Sequence, residues 1–398
     1  MRDPSFDRAI AFARDLIRIP GLPGEEGEVA ARTRREMESL RYDEVWTDDV
    51  GNVIGRIRGL GAPAVMLSCH LDAVDVGDAA SWEHPPFSAA VAGGFLHGRG
   101  AMDIKGPLAL QTYAAATFLE RRPAGDVLVA HTVLEERGGW GMEHLLESGA
   151  VRPAAVIIGE ATAGDICVGH RGRAELIVEI GGVAGHASAP SRASNPLAHV
   201  GKVLAAIEQF AASLESDPVL GVSTLAPTMV ETLPRSRNVI PDRVRLVIDW
   251  RVLPDMTADT VGARLAQFLR SAAALPEPYT VAVHDGRERQ RTWTGVEQER
   301  RLFTPGFLLP SDHAVARAAR DAIRAVESRI PAIRPWTFAT DGGHSCGVHG
   351  IPTIGYAPGE ERYAHTNRER LDLVEAETAY STYPVLIAGV LEAVGRSA

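Results

Sequence analysis

A chain of 398 residues exceeds the size at which one hydrophobic core keeps growing, so two domains are expected. With 45% hydrophobic and 23% charged residues the composition is globular, which excludes disordered and collagen-like classes. The formal charge of −10 argues against a nucleic-acid partner and against an anionic membrane surface.

No apolar run approaches the roughly 20 residues of a membrane span. The opening "MRDPSFDRAIAFARDL" has no signal-peptide h-region, so a cytoplasmic protein is expected. Three cysteines, Cys69, Cys167 and Cys346, form no C-x-x-C, which argues against disulfide scaffolds and thiolate zinc sites. Only Lys105 and Lys202 among the 41 basic residues are lysines, leaving lysine chemistry almost without candidates.

In chain order, 5–18 and 25–39 have helical periodicity on either side of the breaker run "PGLPGEEG". Apolar runs of strand length follow: "NVIGRIRG", "PAVMLSCHLD", "DVLVAHTVLEE" and "AAVIIGE". Helical patterns sit between the later ones, one opened by Pro107 and one closing at Gly149. This predicts an α/β catalytic domain with a mostly parallel central sheet flanked by helices. From 173 the strands "RAELIVEI", "DRVRLVIDWRV" and "YTVAVHDG" alternate polar and apolar, with helices from Asn195-Pro196 and near Thr257. An inserted α+β domain with an antiparallel sheet is therefore expected over 173–295, interrupting a first domain made of 1–172 and 296–398. The polar "GRERQRTWTGVEQERR" (286–301) is expected to be a surface loop. A helix from Ser311, a strand "IPTIGYA" and a helix from about Glu375 complete the α/β pattern.

Polar residues collect at the ends of the α/β strands. His70 and Asp72 follow "AVMLSC", Glu135 and Glu136 end the next run, and Glu160 follows "AAVIIG". His365 comes after "IPTIGYAPG", and Asp103 lies just before the Pro107 helix. Ligands of open α/β sheets bind at the carboxyl ends of the strands. His70, Glu160 and Asp103 would then serve one divalent ion, and His365, Glu136 and the same Asp103 a second. Asp72 would accept the other ring N–H of His70, and Glu135 would face the water as general base. Each piece has a plainer alternative: a solvated Glu-Glu turn, a satisfied core His70, an Asp103 favouring a helix dipole. "GRGAMD" lacks the third glycine of a dinucleotide loop, and "DGGHSCG" reads as a turn with Cys346 as filler.

The ordered set "HLD", "GRGAMDIKG", "LEERGG", "IIGEAT", "GHASAP" and "YAHTN" resembles the two-metal aminoacylase family, over about residues 60 to 370. That family includes acetylornithine deacetylase, succinyl-diaminopimelate desuccinylase and glutamate carboxypeptidases. The resemblance implies a catalytic domain interrupted by a lid domain that pairs two subunits into a homodimer. It implies His70, Asp103, Glu136, Glu160 and His365 as ligands of two divalent cations, zinc first, with cobalt or manganese as alternatives. It also implies Asp72 and Glu135 in the roles above, and His186 as a histidine lent to the partner subunit's site. Asn238, Arg251 and, less closely, Arg171 match substrate-contacting positions. The implied reaction is hydrolysis of the amide bond of an N-acyl amino acid or small dipeptide. Aminopeptidase, carbamoyl-amide hydrolase or a non-catalytic binding relative are the alternatives. Glutamate at 160, where carbamoyl-amide hydrolases usually carry histidine, favours deacylase or peptidase chemistry. Asp75 stands where relatives usually have proline, and the C-terminal half looks closer to a less characterised branch near the selenium-metabolism-linked hydrolases.

Overall fold

The computed structural model describes residues 4–396. The chain divides into two compact units: the described residues up to His170 with Gln290–Gln298 and those from Phe307 onward, and Arg171–Arg289 with Glu299–Gly306. Among the described residues no helix is long and apolar enough to cross a membrane.

The first unit is built on an eight-stranded sheet. Its order is Glu44–Thr47, Val53–Ile57, Gly125–Thr132, Ala62–His70, Ala155–Ile158, Thr353–Gly355, Ile166–Cys167 and Ile333–Arg334. The four strands in the middle, from Gly125–Thr132 to Thr353–Gly355, are mutually parallel. Antiparallel strands join at the Glu44 side and beside Thr353–Gly355. The continuous apolar runs follow from burial on both faces. Val65, Leu67, Val127, Val129, Ala155 and Ile157 join the core formed with helices Pro4–Ile17, Lys105–Ala116 and Leu373–Gly395. Their neighbours Met66, Leu128, Ala130, Val156 and Ile158 enter the core on the other face, with Met142 and Leu145 of helix Trp140–Glu147. Odd positions serve one core and even positions the other, as a two-residue period dictates. Because the middle strands run the same way, His70, the residues after Thr132 and those after Ile158 all emerge at one edge.

The second unit is a four-stranded antiparallel sheet in the order Thr224–Leu233, Arg243–Val252, Gly172–Gly181, Thr280–Asp285, with Phe303–Thr304 added beside Gly172–Gly181. Burial alternates strictly along Gly172–Gly181 and Arg243–Val252. The inward residues Leu176, Val178, Leu246, Ile248 and Trp250 pack under helices Val200–Ala212 and Ala258–Ala272. Asn195 does cap a helical start: its Oδ1 accepts from the N–H of Leu197 at 3.1 Å. The first turn there is 3₁₀, Pro196–His199, before the α-helix begins.

Residues 286–301 are not the polar surface loop expected from their composition. They form a hairpin of Arg287–Arg291 and Glu297–Arg301, and its tip belongs to the first unit. The reason is Trp293, whose indole N–H donates to the carbonyl of Gly51 at 3.2 Å. Gly51 has φ +108°, and a Cβ there would lie 2.1 Å from the indole nitrogen, so only glycine admits the ring.

His131 is fully buried in strand Gly125–Thr132, its Nε2 3.0 Å from the hydroxyl of Thr112. Burial pushes it down to about 3 from the ordinary 6.5. The unfolded chain binds a proton below about 6.5 that the folded chain refuses. The stability this neutral ring contributes is therefore present above 6.5 and lost as pH falls towards 3. His131→Gln is expected to flatten the stability–pH slope in that window by about 1.4 kcal/mol per pH unit, read from urea unfolding midpoints of the two proteins. Equal slopes would show that the ring does not resist protonation.

Candidate metal centre

The Glu135-Glu136 pair is placed by a turn just beyond the strand. The strand stops at Thr132, Leu134 takes the left-handed conformation (φ 56°), and Glu135–Arg137 form a 3₁₀ turn. Three buried acceptors hold this reversal. Glu26 accepts from the N–H of Leu134 at 3.1 Å. The two carboxylate oxygens of Asp72 accept from the N–H groups of Glu135 and Glu136 at 3.3 and 3.1 Å. Gly139 (φ +75°) lets the chain turn away, since a Cβ there would stand 2.7 Å from the His344 ring and 2.8 Å from Asp341.

Asp72 therefore does more than the sequence suggests, and does the expected task differently. The Nδ1 of His70 lies 2.9 Å from the main-chain carbonyl of Asp72 and 3.5 Å from its carboxylate. The carbonyl fixes the ring, and the carboxylate organises the turn. With Nδ1–H directed at the carbonyl, Nε2 is the nitrogen that a cation would take, once it gives up any proton it shares with the acids.

That Nε2 faces acids: it is 3.1 Å from Asp103 Oδ1 and 3.3 Å from Glu160 Oε1. The Nε2 of His365 is 3.2 Å from Asp103 Oδ2 and 3.0 Å from Glu136 Oε1. Each oxygen of Asp103 thus meets a different histidine, and each histidine meets one further glutamate. Donor atoms of His70, Asp103 and Glu136 lie within 4.8 Å of one another, as do those of His70, Glu135 and Glu160. All five expected ligand residues and Glu135 therefore converge. His365 arrives on a left-handed residue (φ 60°), a conformation His adopts more readily than most.

Burial first, and the charge of Asp103 next, push Glu160 up to about 7. Burial also raises Glu136 and lifts Glu135 well above its ordinary range. Burial would raise Asp103 as well, but hydrogen bonds from His365 and His70 overcome it and hold it low. Asp103 and Glu136 lift His365 to about 10. His70 is raised despite its burial, by Asp103, Asp72 and Glu160. A crowd of buried carboxylates that repel one another is stable only with positive charge among them. A set of imidazole nitrogens and carboxylate oxygens without thiolates suits divalent zinc, cobalt or manganese as that charge.

Several residues that hold this cluster have no signal in a single sequence. Glu26, Arg99, Asp341 and Glu369 are buried acids and a base whose partners lie far along the chain. Asp341 Oδ2 accepts from Thr132 Oγ1 at 2.7 Å, and burial pushes its carboxyl up to about 6. It precedes the π-helical turn Gly343–Val348, in which the His344 ring lies 2.9 Å from the carbonyl of Gly138. The segment "DGGHSCG" is thus a support of the Glu135 bend, with Cys346 half-buried.

In the second unit His186 and Asn238 sit together. Gly185–His186 pairs with Val239–Ile240, and Asn238 O accepts from the N–H of Ala187 at 3.1 Å. The Nδ1 of His186 accepts from the N–H of Ser188 at 3.1 Å, which leaves the ring hydrogen on Nε2. Arg251 is bound to the carboxylate of Asp249 at 2.8 Å, and Arg171 donates to the carbonyl of Val222 at 2.5 Å. The two arginines lie at the Gly172–Val252 end of the sheet. His186 and Asn238 lie beyond its Gly181–Arg243 end.

Cations that bind among these groups must displace any proton that the raised Glu160 or His365 holds. Zinc binding at pH 7 is expected to release protons, and apparent affinity to weaken as pH falls through about 7, where Glu160 takes one up. Calorimetric titration in buffers of different ionisation heat checks this. A heat independent of buffer would mean that the ligands are already proton-free.

Residues 66–388 match the profile of peptidase family M20/M25/M40. The chain is 30% identical over 382 residues to the uncharacterized protein YgeY of Escherichia coli (strain K12), covering 94% of this chain and 93% of that one. It is 31% identical over 361 residues to a succinyl-diaminopimelate desuccinylase of Methylorubrum extorquens, covering 84% and 86%. It shares its fold with the YXEP protein of Bacillus subtilis, whose structure is described as a dinuclear metal binding peptidase from the M20 family. The TM-score is 0.70 at 18% identity, over 98% of this chain and 99% of that one. The chain belongs to peptidase family M20/M25/M40, and is a metal-dependent hydrolase of amide or peptide bonds.

Proposed function

We propose that this hydrolase cleaves the amide bond of an N-acyl amino acid or small dipeptide at a two-cation centre. The observation that carries the reading is Asp103, with one oxygen at His70 and the other at His365. His70, Glu160 and Asp103 would hold one cation, and His365, Glu136 and Asp103 the other. When bound, such a pair activates a shared water at neutral pH and polarises the scissile carbonyl. Glu135, adjacent to ligand Glu136 on the 3₁₀ turn, takes the proton of the attacking water and gives it to the leaving nitrogen. Its burial favours holding that proton between the two transfers. The relative named as a desuccinylase supports an acylated amine as substrate.

The second unit supplies two kinds of group that one substrate cannot reach together. The strand Gly172–Gly181 has ten residues, which separates its ends by roughly 30 Å. Arg251 and Arg171 at one end would bind the substrate carboxylate of their own chain. His186 and Asn238 at the other end would serve the partner subunit of a homodimer, with Nε2–H of His186 donating to the developing oxyanion. The outer strand Thr224–Leu233 supports pairing, since it is a sheet edge with Met229 and Val230 more than half exposed.

Glu135→Gln is expected to lower kcat by about 10²- to 10⁴-fold while zinc stoichiometry and fold persist. Loss of zinc would instead make Glu135 a ligand. Inactive His186→Ala mixed with inactive Glu135→Gln is expected to regain partial activity on subunit exchange. Val230→Lys in both should abolish that rescue by separating the subunits, as sedimentation would read. No rescue in the first mixture would refute the donated histidine.

A further inference from the structure

The motif "GRGAMD" binds no nucleotide phosphate in the reading above, yet its arginine is among the most buried charges in the protein. Arg99 is 3% exposed and Glu369 1%. Arg99 Nη1 donates to Glu369 Oε2 at 2.5 Å, and its Nη2 donates to the carbonyl of Asp75 at 3.3 Å. The guanidinium also stacks on Trp82, 5.0 Å from the ring centre. The other oxygen of Glu369 accepts from the N–H groups of Met102 and Asp103, both at 3.2 Å.

These contacts join three loops at one point. Glu369 stands four residues after His365, Arg99 four residues before Asp103, and Asp75 three residues after Asp72. One carboxylate thus grips the main chain of the bridging ligand from the loop that carries His365. One guanidinium ties both to the loop that follows His70. Neither side chain is a member of either close ligand group.

Stability does not account for such a pair. Desolvating two charges costs about as much as their attraction returns, and apolar substitutes of similar size are often neutral or better. A buried ion pair does give fixed geometry, because moving either charge leaves the other unpaired. A bridging carboxylate needs that, since both its oxygens must stay aimed at separate histidines.

We propose that Arg99 and Glu369 are positioning residues: a buried brace that sets the Asp103 carboxylate between His70 and His365, and so makes the site accept a second cation beside the first. This rests on the two-cation reading. The brace acts through the Asp103 main chain and the His365 loop, and touches neither substrate nor cation.

The test is calorimetric titration of zinc into metal-stripped protein, comparing native chain with Arg99→Met/Glu369→Leu, which removes both charges together. The double variant is expected to keep its circular dichroism, with an unfolding midpoint lowered by the Met102 and Asp103 N–H groups left unpaired. It should bind the first equivalent normally and the second about 10- to 100-fold more weakly. Turnover should fall through kcat at saturating zinc rather than through KM. Glu369→Gln, which keeps the shape and one acceptor, should show the same loss in smaller measure, and serves where the double variant fails to fold. A second equivalent bound with native affinity by a folded variant overturns the brace alone. A native protein that binds fewer than two equivalents overturns the two-cation reading, and the brace with it.

Discussion

Everything at the site depends on one carboxylate with two neighbours. Asp103 presents Oδ1 to His70 and Oδ2 to His365, and the remaining acids are arranged around that split. Buried carboxylates at such density repel one another, so the arrangement stands only while positive charge lies between them. The fold meets this constraint with rigid surroundings. Parallel strands buried on both faces deliver His70 and Glu160 at one edge, and buried hydrogen bonds fix the loops that deliver the rest. Loops alone would let the acids relax apart into water, and the preference for a cation pair would go with them.

The parts legible in the sequence were those with a local cause. Continuous apolar runs predicted two-faced strands, and the ends of those strands predicted where His70, Glu160 and the glutamate pair would gather. Alternation in "RAELIVEI" and "DRVRLVIDWRV" predicted the one-faced antiparallel sheet, because a two-residue period states which face is covered. The glutamate pair was expected where its apolar run ends, but the form of the turn that carries it was not legible. Its cause is not local: Leu134 is held left-handed by Glu26 and Asp72, far back in the chain, which accept its own N–H and those of the two residues after it. The hairpin at Trp293 was misread for the same reason. Its composition is that of a loop, and only the distant Gly51 makes a place for the ring.

Arg99 and Glu369 show the limit most sharply. They lie 270 residues apart, and neither carries a periodic or capping signal. A sequence displays the residues that perform chemistry, because histidine and acids at strand ends are unusual there. It does not display the residues that aim them, because a buried charge is indistinguishable from an exposed one until its partner is known.

The roles proposed for the second unit follow from geometry of another kind. A substrate carboxylate and an oxyanion on one small molecule lie only a few bonds apart, yet Arg251 and His186 occupy opposite ends of a ten-residue strand. No side chain spans roughly 30 Å, so the proposed roles of the two residues would fall to different sites. In the proposed homodimer each sheet would serve its own site with one end and its neighbour's with the other, which removes the difficulty without lengthening anything. The tautomer of His186 is already set for that task by Ser188 within its own loop, before any partner arrives. In the proposed homodimer, assembly would bring in a donor whose hydrogen is already on Nε2. Pairing two chains, on this reading, is a condition of completing the reaction centre rather than an addition to it.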